Sequence, residues 1–187
     1  MDERQELMAL LRALSYERRH VVLASGRESD FYVDGKQTTL HARGAMIIGS
    51  LVLTRMRSRG EPILGVGGLT MGADPIATAA SVASAQDGGP LIHAFYVRKD
   101  AKGHGTRRWV EGRRNLPDGS PVVIVEDTST TGTSAWNAVL RAREEGLDVR
   151  EVITVVDREE GAREFIEGQG MGFFALVGRR ELTGEAN

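Results

Sequence analysis

Short apolar runs recur along the chain, and the stretches between them carry helical spacing. Leu7, Leu10, Leu11 and Leu14 share one face of a helix predicted over residues 2–14, with Asp2 as cap and Gln5 completing a capping box. SDFYVDG, Ser29 to Gly35, reads as a short strand ending in a turn. Gly44 to Met56 places Ile47, Ile48, Leu51, Val52 and Met56 on an inward helical face. ILGV, Ile63 to Val66, is a brief buried strand, and GGLTMGADP after it is a loop. Asp74 then Pro75 signals a helix start, with Asp74 as N-cap and proline at the first helical position. LIHAFYV, Leu91 to Val97, and VVIVE, Val122 to Glu126, are further strands. Trp136, Val139 and Leu140 place a helix after Ser134, and Gly146 stops it. VITVV, Val152 to Val156, and FFALV, Phe173 to Val177, close the series.

Strands alternating with helices predict an α/β fold with a mostly parallel central sheet flanked by helices. No internal repeat, low-complexity tract or linker interrupts the 187 residues, so a single domain is expected. In such sheets ligands bind at the carboxyl ends of strands, where the chemically notable residues of this chain fall.

Composition narrows the choice. A net charge of -2 argues against a general nucleic-acid binder. The absence of cysteine excludes disulfides and thiolate zinc sites. His20, His41, His93 and His104 lack ligand spacing, so no protein-held metal site is expected. His20, His41 and His93 read as packing or surface residues. No apolar run approaches the roughly 18 residues of a membrane span, and the charged N-terminus is no signal peptide. A cytoplasmic protein with no membrane or nucleic-acid partner is the expectation.

VVIVEDTSTTGTS, Val122 to Ser134, carries the chemistry. Four apolar residues run into Glu126 and Asp127, then into six hydroxyl residues in seven, broken by Gly132. A helix start offers free N–H groups and the positive end of its dipole, and a glycine lets the backbone wrap an anion. Carboxylates repel phosphate but accept hydrogen bonds from sugar hydroxyls. The stretch therefore reads as a holder for a ribose 5-phosphate. The plainer alternative is a strand–turn–helix connection whose hydroxyls cap the helix. A Walker-type loop and a dinucleotide fingerprint are both missing. Gly65, Gly67 and Gly68 suit a backbone approaching phosphate, or a tight turn.

RKDAKGHGTRRW follows a strand. Arg98, Lys99, Lys102, Arg107 and Arg108 stand against Asp100, and Gly103 and Gly105 flank His104. This pattern fits a cationic lid over a polyphosphate, or a solvated hairpin tip.

The segment VVIVEDTSTTGTS closely resembles the phosphoribosyl diphosphate (PRPP) signature of type I phosphoribosyltransferases. RKDAKGHG is similar to the R-K-[DE]-x-K-x-H-G loop of the orotate phosphoribosyltransferase family. LASGRESDFYVD, Leu23 to Asp34, and VDREEGA, Val156 to Ala162, resemble two more of its segments, in the family's order. The resemblance implies the type I phosphoribosyltransferase fold, with a small hood formed largely by about residues 1–40. It implies transfer of ribose 5-phosphate from PRPP to orotate, with Mg²⁺ bound mainly through PRPP or pyrophosphate. By matching position, Arg98, Lys99, Lys102 and His104 would bind the diphosphate. Glu126, Asp127, Thr128, Ser129, Thr130, Thr131, Gly132, Thr133 and Ser134 would bind ribose and 5-phosphate. Thr130 and Arg158 would contact orotate, and Lys102, His104 and Asp127 are the catalytic candidates. The family implies a homodimer whose lid acts across the interface, and the apolar stripe from Met46 to Met56 is core or dimer contact.

Two departures stand out. Ala24 and Met71 occupy positions where many members carry lysine. Thr70, backbone N–H groups or Lys36 are candidates to take over. A purine phosphoribosyltransferase shares the PRPP turn but differs in base pocket and lid. A PRPP-sensing regulator would show an added DNA-binding domain or a broad basic face, and neither is visible.

Overall fold

The fold is that of a computed structural model describing residues 2–22, 28–100 and 109–185, with side chains described outside residues 19–30. Its main sheet contains β3 (Gly65–Leu69), β4 (His93–Val97), β5 (Val110–Glu111), β6 (Pro121–Ser129), β7 (Asp148–Asp157) and β8 (Gly172–Gly178). They lie in the order β5-β4-β3-β6-β7-β8. All neighbours are parallel except β5, an antiparallel edge strand on β4.

The expected α/β architecture is therefore present, and alternation along β6 shows why it holds. Val123 and Val125 join a core with Ile47, Val52 and Ile76, contributed by α3 (Ala42–Arg57) and α4 (Asp74–Gln86). Val122 and Ile124 join a second core with Ala135, Val139 and Ile166, from α5 (Thr133–Glu144) and α6 (Ala162–Gly168). Successive side chains of a strand point to opposite faces, so a continuous apolar run buries both sides of the sheet.

Strand β3 starts two residues later than ILGV suggested and runs through Gly67 and Gly68. Packing explains the shift. A Cβ on Gly67 would fall on the carbonyl oxygen and ring of Phe95, and one on Gly68 on the carbonyl oxygen of Val125. The glycines that read as a loop are the residues that let this strand fit its neighbours. Helix α4 likewise begins at Asp74 itself, with Ala73 as N-cap, so the start signal was displaced by one residue.

Helix α1 (Glu3–Leu10) begins with the expected capping box, in which Asp2 Oδ1 accepts from Gln5 N–H at 2.7 Å. It ends early, passing into a π-helical turn over Leu11–Ser15. Leu7 and Leu11 are fully buried, but Leu14 is 40% exposed and leaves the expected apolar face. The chain then forms β1 (Tyr16–Val22), which pairs antiparallel with β2 (Glu28–Val33) as a separate two-stranded sheet. Phe31 and Val33 of β2 anchor this hairpin in the first core. Strands β1 and β5, the short helix α2 (Lys36–Thr39), α6 and α7 (Arg179–Thr183) were not anticipated. Among the described residues no helix is long and apolar enough to cross a membrane.

Candidate active site

The carboxyl ends of β3, β4, β6 and β7 share one edge of the sheet, and β6 delivers Glu126 and Asp127 to it. The strand does not end at the acids as expected: β6 runs on through Thr128 and Ser129, paired with Val156 and Asp157 of β7, and only residues 130–132 form the turn into α5. Gly132 is the N-cap at φ +79°, a left-handed conformation that a side chain resists. A Cβ there would also stand 3.1 Å from Ile166 and Phe165. No side chain caps α5, which leaves the N–H groups of its first turn without a capping partner and suited to an anion. Thr131, Thr133 and Ser134 are exposed around them, and the Thr131 and Thr133 hydroxyls bond each other at 3.1 Å.

The two acids sit in different surroundings. Burial pushes the Glu126 carboxyl up to about 7, and the adjacent Asp127 charge adds to the rise. The Ser129 hydroxyl, which donates to Glu126 Oε2 at 3.1 Å, opposes it. Asp127 Oδ1 accepts from Thr128 N–H at 2.9 Å. Its Oδ2 faces the Lys36 ammonium at 3.7 Å, and Lys36 also pairs with Asp34 at 3.1 Å. Gly35 packs on the same spot: a Cβ there would lie 2.9 Å from Thr128 Oγ1 and 3.0 Å from Asp127 Cβ. Asp34 and Gly35 were not singled out from sequence, although the DGK turn after an apolar run was their visible signal.

Arg158, next to the end of β7, is joined to the turn through its backbone N–H, which donates to Ser129 O at 2.9 Å. Its guanidinium is buried, pairing with Glu160 at 3.0 Å and donating to the Phe31 carbonyl oxygen at 3.3 Å. The Phe31 ring lies 5.6 Å from it. Thr130 sits beside Ser129 at the same edge, so both orotate candidates reach it.

Arg98 and Lys99 emerge from β4, two strands from β6. Arg98 pairs with Glu111 at 2.9 Å, and Lys99 is exposed near Leu69, Asn137 and Arg141. These two are not in contact with the acid pair. Arg98 N–H donates to Trp109 O at 2.9 Å, closing the two ends of the basic segment. Lys102 and His104 lie outside the described residues, as does Ala24. Met71 is 72% exposed. His41 caps α3, its Nδ1 accepting from Gly44 N–H at 3.4 Å, in keeping with a structural role.

Among the described residues no cluster of three or more His, Asp or Glu side chains could hold a metal ion. Glu126 and Asp127 offer too few oxygens to cage Mg²⁺ alone. They fit an ion that takes most of its six oxygens from phosphate and water.

The sheet order and this phosphate-shaped edge define the class: the chain has the type I phosphoribosyltransferase fold. It is 48% identical over 173 residues to an orotate phosphoribosyltransferase of Nostoc sp., covering 92% of this chain and 82% of that one. With the Sorangium cellulosum enzyme of the same name it shares 47% over 183 residues, 97% of this chain and 93% of the other. The chain belongs to the orotate phosphoribosyltransferase family. The crystal structure of Mycobacterium tuberculosis orotate phosphoribosyltransferase in complex with PRPP superposes with a TM-score of 0.77 at 41% identity, covering 97% and 99% of the two chains. No family model matches the sequence.

Proposed function

We propose that the protein transfers the ribose 5-phosphate of PRPP to orotate, giving orotidine 5′-monophosphate and pyrophosphate in pyrimidine synthesis. The observation that carries this reading is the acid pair of β6 set directly before an uncapped helix N-terminus. Glu126 and Asp127 accept hydrogen bonds from the ribose diol. The segment Thr128–Ser134 and the first N–H groups of α5 hold the 5-phosphate. Arg158 matches the orotate carboxylate with its planar fork, and Thr130 stands beside it.

As the C1–oxygen bond to pyrophosphate breaks, its electron pair leaves with the diphosphate and positive charge grows on the ribose. A ring nitrogen of orotate forms the new bond to C1 as its N–H bond breaks, and the proton leaves to the departing pyrophosphate or to water. Arg98, Lys99, Lys102 and His104 stabilise the departing charge, and a closed lid keeps water from the ribosyl cation. Mg²⁺ bound with PRPP, mainly through its phosphate oxygens, would add neutralising charge to the diphosphate. Asp127 and Glu126 ease charge on the sugar ring.

The reading includes a homodimer in the cytoplasm. An apolar groove of about 770 Å³ lies between α2, α3 and α4, lined in part by Leu40, Met46, Met71 and Val82. Leu40 is 70% exposed and Val82 50%, an apolar patch that a second copy would cover. Lys36 and Asp74 line the same groove, so an interface there adjoins the site and lets a partner's lid reach it.

The test is turnover. With Mg²⁺ and PRPP, pyrophosphate should be released with orotate but not with uracil, adenine, hypoxanthine or xanthine. Turnover only with a purine overturns the specificity. PRPP binding without turnover of any base makes the protein a regulator.

A further inference from the structure

We infer that the Lys36 ammonium binds the diphosphate of PRPP and stabilises it as it leaves; this rests on the PRPP reading above.

The first ground is position. Lys36 Nζ lies 3.7 Å from Asp127 Oδ2 and 3.1 Å from Asp34 Oδ1. Among the described residues it is the one lysine or arginine that pairs with either acid of the β6 pair. Its side chain remains 47% exposed, so a ligand can reach the ammonium.

The second ground is that the lysine is built into place. Asp34 Oδ1 also accepts from the Lys36 backbone N–H at 3.2 Å, and Asp34 Oδ2 from Gln37 Nε2 at 3.1 Å. Gly35 presses this turn against Thr128 and Asp127, with no room for a Cβ. Asp34 thus orients the lysine while its neighbour fixes the distance to Asp127.

The third ground is direction. The 5-phosphate belongs at the α5 side of Asp127, where the free N–H groups are. On a ribose held by its diol, C1 and C5 lie at opposite ends, so the leaving group falls on the other side. That side is the β3–α4 loop, where Gly72 packs against the Asp127 carboxylate. Lys36 lines the groove together with Met71 and Asp74 of this loop region. Leu69, Thr70, Met71, Gly72 and Ala73 contribute no cation there. When a ribose hydroxyl donates to Asp127, the ammonium loses part of its claim on that carboxylate. With three donors it keeps Asp34 and turns another toward a phosphate oxygen.

The experiment compares wild type with Lys36→Ala, Lys36→Gln and Lys36→Arg in the orotate reaction. Lys36→Ala should lower kcat/KM for PRPP about tenfold to a hundredfold and weaken product inhibition by pyrophosphate alongside. The KM for orotate should stay within about twofold, because the orotate contacts lie elsewhere. Lys36→Arg should recover most of the loss; Lys36→Gln, which keeps a hydrogen bond to Asp34 without the charge, should not. Should Lys36→Ala not fold, the glutamine and arginine variants carry the same comparison. Unchanged pyrophosphate inhibition, an equal defect in orotate KM, or full activity in Lys36→Gln overturns the assignment. A wild type that makes no orotidine 5′-monophosphate overturns the functional reading itself, whereas an active wild type matched by Lys36→Ala removes Lys36 alone.

Discussion

The backbone N–H of Arg158 donates to the carbonyl oxygen of Ser129 over 2.9 Å. This bond ties the proposed base-binding arginine to the turn that holds the sugar phosphate, across the parallel pairing of β6 and β7. Arg158→Ala should raise the KM for orotate at least about tenfold while leaving the KM for PRPP little changed, since the substrate carboxylate would lose the guanidinium that matches it. Arg158→Lys should recover part of the loss, because a lysine keeps charge but not the fork. Steady-state kinetics with each substrate varied check this; equal effects on both constants count against it.

Glu126 makes stability depend on pH. Burial raises its carboxyl from 4.5 to about 7, so the folded chain holds the proton more tightly than the unfolded one. Stability is then greatest below the unfolded value and falls as pH rises from about 4.5 to about 7. Replacing Glu126 by Gln removes this loss. The ligand-free variant should be more stable than wild type at pH 8, by on the order of 3 kcal/mol, and close to it at pH 4.5. Denaturant unfolding across this range measures the difference, and a gap that does not widen with pH refutes it. Catalysis should fall, because a neutral amide cannot stabilise a cationic ribose.

Glu151 is 2% exposed near the amino end of β7, where Arg55 Nη2 bonds it at 2.5 Å and Arg59 Nη1 at 3.0 Å. Arg55 also stacks over Phe174 at 4.4 Å. Removing the carboxylate takes away the ion-pair partner of Arg55 and leaves Arg59 with Glu61 alone, in a partly buried place. Glu151→Ala should cost about 3 kcal/mol and lower Tm by several degrees. Turnover below the melting range should be unaffected, because the active edge is at the other end of the sheet.

The groove of α2, α3 and α4 predicts assembly. Val82 is 50% exposed on α4, so Val82→Asp should leave a lone chain folded but disrupt a dimer. Sedimentation should give wild type twice the chain mass of 20.3 kDa and the variant a single chain, with turnover falling in parallel. A monomeric wild type with full activity would exclude a lid acting across an interface.

The sequence disclosed this fold unevenly, for physical reasons. Strands β6, β7 and β8 were legible because their apolar runs are buried on both faces, a signal that no neighbour alters. Strand β3 was misplaced because three of its five residues are glycine, required by neighbours that the local sequence does not display. Strand β1, YERRHVV, has no clean alternation and depends on its pairing with β2. The acid pair and its turn were readable because strand, acids, hydroxyls and glycine are contiguous. Lys36 is 91 residues from Asp127, and only the folded chain shows that the two meet.

The alternation along β6 has a practical consequence. The sheet divides the apolar interior into two compartments, one packed by α3 and α4, the other by α5 and α6. Side chains such as Ile48 and Val139 share no partner, so their stability effects should simply add. An engineer could reinforce the α5–α6 half for heat resistance and leave the groove-bearing half supple, with the strands between them as common ground.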